Sequence, residues 1–495
     1  MRSSKNYSPR EEAQKPLPPR SGGQTKSTAR SEVAGGFFRL LAANTRGAVN
    51  LVLLAGYCAA WLYELAYWFP KDAYGNGLNY WAFTDWLIDY SQGFIRRGLS
   101  GELWNLFSSK VPAVAFVAVL SWGLMLIAAF GYARLLARSW KTMHPLTMFG
   151  LLFLPSLFVF YQHDHNAIAR KEVLGTVTVL LHLLIVEKSL PLGSTGGSAG
   201  GSLRRYVSWL IPLNLIVLPA VILVHEANFL LFVPLHGMIT LSMLSILTPR
   251  GRVKAALWSA LLYLPAALTL AGVYLSGTPS NETLLGICEK WLAAGVVREG
   301  SCVLPPEQLS GSTLPASLIP MAWTLKQAAA YTRMIVLTNL AAWLVILPVL
   351  GACLWYLARQ ALYMNLRSRA ADGFSAPAAK RFGKRFFVLY FLIPLACALP
   401  IYFTAYDYGR WFTVTCVNFA MVVASLNLPV REFVVFKSEG AGETREHLDS
   451  PAVFLGVSIL ICVLALVLWL PHYCIFRCDI VRSPLEYFAH TFVVN

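Results

Sequence analysis

Four short segments of a largely apolar chain combine charged and polar residues at the ends of apolar runs. The segments are 92–103, 163–172, 225–228 and 406–411, and each adjoins an apolar run. Because a charge within a membrane costs roughly 2.5 to 3.5 kcal/mol on insertion scales, a sequence that keeps such charges usually has a use for them. Arginine recurs in these segments and offers phosphate oxygens a planar fork of donors. The pattern predicts a site for a phosphate-bearing ligand.

The basic residues of these segments are the predicted phosphate ligands, with Arg96, Arg97 and Arg410 foremost. Arg96 and Arg97 lie among glycines that would let backbone amides approach an anion, although such a stretch is also an ordinary turn. The full set of predicted substrate-binding residues is Arg96, Arg97, Arg170, Lys171, Asp164, Asp407 and Arg410.

Glu226 is the predicted proton acceptor. It lies between two apolar runs, where burial is expected to raise its pKa and make it a general base. His225, Asp164 and His165 are alternatives for the same role.

Asp85 and Asp89 are further catalytic candidates. They stand four residues apart among aromatic residues, which favours an amphipathic helix at the membrane interface with both carboxylates on one face. A solvated helix face explains the spacing equally well.

Ion pairing inside a packed bundle is the simplest alternative use of these charges. Glu226 and His225 can neutralise Arg410 or Arg170, and Asp407 can pair with Arg410. Because all four segments are predicted on the same side of the membrane, ion pairing alone explains them less well. The histidines with Glu226 can also be drawn as a metal site, but nothing fixes their geometry, so neither a metal nor a cofactor is predicted.

The elements that position these residues are membrane spans. The 495 residues are 56% hydrophobic and 13% charged, with a mean hydropathy of +0.55, which excludes a water-soluble domain of this size. Apolar runs long enough to cross a hydrocarbon core of about 30 Å predict an all-α, polytopic bundle of about eleven spans. The runs lie near 48–69, 111–133, 145–161, 172–187, 207–224, 229–248, 255–275, 334–358, 386–405, 411–430 and 452–473.

Loop charge predicts the orientation and the domains. Most lysines and arginines fall on one set of loops, which the positive-inside rule places in the cytoplasm together with the N-terminus. This topology explains the net charge of +16, and no nucleic-acid-binding motif accompanies it. The prediction is a disordered basic tail (1–46), a membrane domain (47–474) with outer loops 70–110 and 276–333, and an outer C-terminal segment (475–495).

Outer loop 276–333 is large enough to fold over a site as a lid. It contains Cys288 and Cys302, which can close a disulfide if that side is oxidising. The alternative is a structured connection stapled by the disulfide.

The segment 93–99 (GFIRRGL), with Arg170-Lys171-Glu172, His225-Glu226 and 407–411 (DYGRW), resembles membrane proteins found with polysaccharide genes. The architecture resembles O-antigen polymerases of the Wzy type and is similar to membrane glycosyltransferases of the GT-C class. The resemblance covers about 48–473. It implies glycosyl transfer from a polyprenyl-phosphate or polyprenyl-diphosphate sugar at the periplasmic face of the bacterial inner membrane, without a cofactor.

In GT-C enzymes an acid of the first outer loop acts on the acceptor, and Asp85 and Asp89 are the positions that can match. The sequence lacks the Asp-x-Asp of that class in this loop and its soluble C-terminal domain, which favours a polymerase or ligase. The expected partners are membrane lipids, the polyprenyl-linked glycan and proteins of a polysaccharide assembly pathway. A transporter or flippase of an anionic or lipid-linked solute is the main rival, and a scaffolding subunit is a third possibility.

Overall fold

The structure is a computed structural model, and the residues that it describes form helices and no strands. It describes residues 28–73, 80–164, 167–189, 199–247, 252–303, 314–315, 317–322, 325–336, 340–369, 384–404, 407–425 and 451–468.

The described part of the chain contains eighteen α-helices. They are α1 (Thr28–Ala73), α2 (Tyr80–Asp85), α3 (Leu99–Asn105), α4 (Ala113–Ala137), α5 (Pro145–Phe153), α6 (Val159–His163), α7 (Glu172–Ser189), α8 (Ala199–Pro212), α9 (Leu218–Val224), α10 (Ala227–Leu247), α11 (Arg252–Leu262), α12 (Leu264–Ser276), α13 (Asn281–Ala293), α14 (Leu325–Val336), α15 (Leu340–Arg369), α16 (Ile393–Thr404), α17 (Tyr408–Ser425) and α18 (Pro451–Val467). A π-helical turn, Leu213–Val217, joins α8 to α9, and another, Val388–Leu392, precedes α16.

The predicted class, a helical multi-pass membrane protein, agrees with these helices. Within the described ranges, six helices are long and apolar enough to cross a membrane, or seven if the bent pair α11 and α12 is one span. The other predicted spans correspond to α5, α7, α17 and α18, which are shorter or less apolar.

One predicted span is broken. The apolar run 145–161 forms α5, which ends at Phe153, and the short helix α6, which begins at Val159. Pro155 lies in the gap, and a proline disfavours helical backbone in the residue before it. At its start α5 is capped by His144, whose Nδ1 accepts the Leu146 N–H at 3.2 Å.

The chain termini differ in part from the predicted tails. Contacts divide the chain into two compact units, residues 1–45 and 46–495. Helix α1 begins at Thr28, inside the segment predicted to be disordered, and the residues before Thr28 lie outside the described part. The predicted C-terminal segment 475–495 also lies outside it.

Helix α17 forms the centre of the second unit. Its residues from Gly409 to Ser425 are all buried, and it packs against α4, α7, α15 and α16. A helix that is buried on every side belongs to the core of a bundle. Because Arg410 lies in its first turn, this central helix carries one of the four charged segments.

A smaller core joins the described parts of segments 70–110 and 276–333, the two predicted outer loops. Trp86, Leu87 and Ile88 pack in the same cluster as Trp291 of α13, and the Trp291 Nε1 donates to the Leu87 carbonyl at 3.1 Å. Cys288 is joined to Cys302 by a disulfide, the pairing that the sequence analysis left open. The core also contains Ile95, the residue before Arg96 and Arg97.

Candidate functional site

Arg97 is the centre of a network of charged side chains. Its Nη2 lies 2.7 Å from Glu226 Oε1, its Nε donates to Glu226 Oε2 at 2.9 Å, and its Nη1 lies 3.4 Å from Asp85 Oδ1. Two parallel bonds of this kind are the strong geometry for an arginine and a carboxylate. The Arg97 backbone is left-handed, with a φ of 67°, which residues other than glycine seldom adopt. Such strain is typical of functional sites.

Lys171 ties the segment before α7 to the Arg97 loop. Its Nζ lies 3.5 Å from Asp85 Oδ2 and donates to the Arg97 carbonyl at 3.3 Å. Burial lowers the pKa of Lys171 to about 8, although Asp85 attracts the charged form. Burial alone raises the pKa of Asp85, but the charges of Lys171 and Arg97 outweigh burial and lower that pKa below its usual range. Asp85 is therefore an ionised carboxylate between two cations.

His225 links the Arg97 pair to a second group of charges. Its Nδ1 lies 3.5 Å from Glu226 Oε2, and its Nε2 lies 3.2 Å from Glu172 Oε1. Glu172 in turn lies 3.7 Å from Arg410 Nη2, which also contacts Asp407. All four charged segments predicted from the sequence therefore meet in one network.

Arg96 connects the predicted outer loop 276–333 to this network. Its Nη2 donates to the carbonyls of Pro320 and Met321 at 2.6 and 2.9 Å, and its backbone N–H donates to the Gly277 carbonyl at 2.9 Å. Its Nη1 lies 3.7 Å from Glu226 Oε1. Arg96 thus contacts two separate parts of this loop, at Gly277 and at Pro320–Met321.

Exposure distinguishes the cations of the network. The side chains of Arg96 and Arg97 are 18% and 16% exposed, whereas those of Arg410 and Lys171 are 7% and 0% exposed. Of these four, Arg96 and Arg97 are the cations that an incoming anion meets first.

Asp164 and Arg170 lie close to the Arg410 side of the network. Asp164 is buried and Arg170 is half-buried. Both interact electrostatically with Arg410, and Arg170 also interacts with Asp407. The structure therefore brings these two predicted residues to the site. His165, an alternative proton acceptor, lies outside the described residues.

Asp89 does not share a face with Asp85, contrary to the expectation from their spacing. Helix α2 ends at Asp85, so the two residues are not one helical turn apart. Asp89 is paired instead with Lys290 of α13, whose Nζ lies 2.5 Å from Asp89 Oδ2, and its Oδ1 accepts the Ser91 N–H at 2.9 Å. Asp89 holds the two outer loops together.

Glu226 is not the high-pKa carboxylate that its apolar flanks suggested. Burial alone raises the pKa of Glu226, but the charge of Arg97 outweighs burial and holds that pKa well below its usual range. The expectation was wrong because apolar flanks reveal that a carboxylate is buried and do not reveal the cation that it meets. Glu226 is therefore a counter-ion and a weak proton acceptor.

The network is electrically balanced. Its acids and bases number five each, so their formal charges cancel while His225 is neutral. They are Asp85, Asp164, Glu172, Glu226 and Asp407 against Arg96, Arg97, Arg170, Lys171 and Arg410.

Comparison with family models, characterised proteins and solved structures found no match. The site is therefore interpreted from its own geometry. Within the described residues, no group of three or more His, Cys, Asp or Glu side chains is arranged to hold a metal ion.

Glu172 is the functional residue that the sequence prediction did not select. It is the first residue of α7, it is buried, and it lies within 3.7 Å of both His225 and Arg410. An acid directly after the bases Arg170 and Lys171 was the available signal. That signal shows neither that the side chain is buried nor which cations it meets.

Lys171 is expected to make stability rise with pH between about 8 and 10.5. In the folded protein this amine loses its proton above about 8, whereas in the unfolded chain it keeps the proton up to its usual pKa of 10.5. The unfolded state binds more protons in that window, so the free energy of unfolding increases with pH. Thermal unfolding in detergent micelles at a series of pH values measures the effect.

Lys171→Met removes this titration and is expected to flatten the rise. Lys188→Met, at an exposed lysine near the end of α7, is the matched control and should keep the wild-type slope. Equal slopes for wild type and Lys171→Met would contradict the burial of this charge.

Proposed function

We propose that the protein is a glycan polymerase or glycosyltransferase that uses polyprenyl-phosphate or polyprenyl-diphosphate sugars at the periplasmic face of a bacterial inner membrane. In this proposal the chain crosses the membrane about eleven times, with its N-terminus in the cytoplasm and its C-terminus outside. Its partners are membrane lipids, the lipid-linked glycan and proteins of a polysaccharide assembly pathway.

The convergence of the four charged segments supports the proposal best. Burying many charges is costly, and a buried ion pair is weak evidence for a contribution to stability. Here the charges come from four separate parts of the chain and meet at one end of an apolar bundle. Arg96 and Arg97, which are more exposed than Arg410 and Lys171, are the proposed ligands of the substrate phosphate.

The proposed reaction is displacement at the anomeric carbon of the lipid-linked sugar. The acceptor hydroxyl loses its proton and forms the new bond from its oxygen to that carbon. The bond from the carbon to the phosphate oxygen breaks, and the lipid phosphate leaves with the bonding electrons. Arg96 and Arg97 stabilise the negative charge that develops on the leaving group, which is where fixed cations contribute most. Arg410 supports them from the buried side, with the half-buried Arg170 close to it.

His225 is the proposed proton acceptor in place of Glu226. Glu226 and Asp85 are held as carboxylates by cations, which makes both weak bases. His225 is an imidazole between the carboxylates of Glu226 and Glu172, and either carboxylate can stabilise the ring once it has taken a proton.

A transporter or flippase of an anionic or lipid-linked solute is the second candidate. Broken helices beside buried polar groups are common where transporters bind their substrates. Here the π-helical turn Leu213–Val217 contains the buried Asn214, and the buried Tyr263 lies at the break between α11 and α12. The charged network at one end favours the transferase.

Complementation in a bacterium that lacks its own copy of the gene tests the proposal. Arg96→Ala and His225→Gln variants that insert normally are expected to lose extended glycan and to accumulate single lipid-linked repeat units on the outer leaflet. Arg138→Ala is the matched control because Arg138 pairs with Glu187 away from the network. Unchanged glycan in the first two variants would refute the site, and accumulation on the cytoplasmic leaflet would favour a flippase.

A further inference from the structure

A second polar site lies inside the helix bundle, apart from the charged network. His182 of α7 and His236 of α10 have rings within 8° of parallel with centroids 5.0 Å apart, and their Nδ1 atoms lie 2.8 Å from each other. The Nε2 of His182 lies 2.8 Å from the Tyr206 hydroxyl, and the Nε2 of His236 lies 3.1 Å from Thr178 Oγ1. Both histidines are fully buried.

The flanking hydroxyl groups indicate which ring nitrogens carry hydrogen. Thr178 Oγ1 donates to the Gly175 carbonyl at 2.7 Å, so it accepts from His236 Nε2–H. The Tyr206 hydroxyl lies 2.8 Å from His182 Nε2 and 3.3 Å from Thr240 Oγ1, so it accepts from His182 Nε2–H when it donates to Thr240 and can donate to the ring instead. A hydroxyl has one hydrogen to donate, so a hydroxyl that donates away from its ring leaves the ring nitrogen to supply the hydrogen of their contact.

The contact between the two Nδ1 atoms requires one more hydrogen. Two bare nitrogens would present lone pairs to each other at 2.8 Å, whereas one hydrogen between them makes a normal bond. When both hydroxyls donate away from the rings, the two rings carry three hydrogens, one more than two neutral imidazoles hold. When one hydroxyl donates to its ring, the two rings carry two hydrogens and both are neutral.

We propose that His182 and His236 form a proton-binding site within the bundle, in which one added proton is shared between their Nδ1 atoms. In the neutral state one flanking hydroxyl turns toward its ring, Tyr206 to His182 or Thr178 to His236. On uptake of a proton from water that hydroxyl returns to its other acceptor, Thr240 or the Gly175 carbonyl. Every donor therefore has an acceptor in both states.

The surroundings of this site are polar but uncharged in the described contacts. Thr240 also bonds to the Tyr263 hydroxyl at 2.7 Å, and the Tyr390 hydroxyl donates to Ser242 Oγ at 2.5 Å. Thr178 of α7 and Tyr206 of α8 are the hydroxyls that contact the rings. Thr240, Tyr263 and Tyr390 lie around Tyr206.

The irregular helices around the site fit a functional role. Both π-helical turns and the α11–α12 break lie in helices that contribute hydroxyl groups to this site or pack beside it. Single π-helical turns are frequent at functional sites, and ionisable residues within the membrane mark proton or ion sites. The inference does not depend on the proposed glycosyl transfer.

Solid-state NMR of ¹⁵N-histidine-labelled protein in lipid bilayers tests the proposal. As pH falls, we expect the two rings to change together from two bound hydrogens to three. Comparison with His182→Gln assigns the signals, and the second ring should then titrate alone. Two rings that keep two hydrogens throughout, or that titrate independently in the wild type, would overturn the proposal.

The flanking hydroxyls supply matched variants. Tyr206→Phe removes the acceptor for His182 Nε2–H. It is expected to weaken proton binding about tenfold, the change in equilibrium constant that corresponds to the loss of one hydrogen bond. Tyr263→Phe removes a phenol that contacts Thr240 and neither ring, and should leave proton binding unchanged. If Tyr206→Phe does not fold, Thr178→Val makes the same test at His236. Equal binding in the ring-contacting variant and the control would refute the proposed shared proton.

Discussion

Arg97→Ala is expected to destabilise the protein by about 3 to 5 kcal/mol, the range for breaking a buried ion pair by removing one partner. Glu226 would keep its negative charge without the two-point contact at 2.7 and 2.9 Å, and Asp85 would lose one of its two cations. The leaving-group cation of the proposed reaction would also be lost. Thermal unfolding in micelles measures the stability, and the complementation assay measures the glycan.

Two further variants separate the ion pair from the arginine itself. Arg97→Lys keeps the charge but not the planar fork, so it should recover part of the stability and little of the activity. Arg97→Ala combined with Glu226→Ala removes both charges and should be more stable than Arg97→Ala alone. A double variant that is as unstable as the sum of the two single variants would show that the side chains do not interact.

Gly101→Ala is expected to cost at least about 1 to 3 kcal/mol, the range for overpacking. A Cβ at this position would lie 2.2 Å from the Ile88 carbonyl oxygen and 2.6 Å from that of Leu87. Both obstacles are backbone atoms, which cannot rotate away. The Gly101 N–H also donates to the Ile88 carbonyl at 3.1 Å, so the two backbone segments are already in contact. Moving them would displace Asp85 and Arg97 together.

Gly123→Ala is the matched control, because a Cβ at Gly123 in α4 meets no atom within 4 Å. It is expected to stabilise α4 by up to about 1 kcal/mol through helix propensity. The melting temperature and the glycan product of both variants test the prediction. A Gly101→Ala protein as stable as wild type would show that this close approach of two backbones is absent.

The location of the candidate site could be predicted from the sequence. Successive apolar runs put successive loops on opposite sides of the membrane. This alternation predicts that segments 92–103, 163–172, 225–228 and 406–411 lie on the same side. The structure does bring their charged residues into one network. The pairing within the network could not be predicted, because it depends on which side chains meet in three dimensions. Glu226 was expected to be a base for this reason, and Glu172 was not selected.

Short-range spacing was a poor guide at Asp85 and Asp89. The prediction assumed one continuous helix, but α2 ends at Asp85 and the chain turns toward α13. The histidines of the bundle show a related difficulty. His182 and His236 are 54 residues apart in the sequence, and neither stands out as more than a packed histidine. Only the packing of α7 against α10 reveals that they form a pair.

The interrupted segment formed by α5 and α6 determines the path of the chain between Arg97 and Lys171. Arg97 precedes α4 and Lys171 precedes α7, yet both lie in the same network. The chain between them must therefore traverse the bundle an even number of times. Helix α4 makes one passage and the return belongs to α5 and α6, although α5 alone is only about 14 Å long. Insertion of this return path thus depends on a proline-interrupted segment that lies against the protein core, with Leu151, Leu152 and Phe160 fully buried.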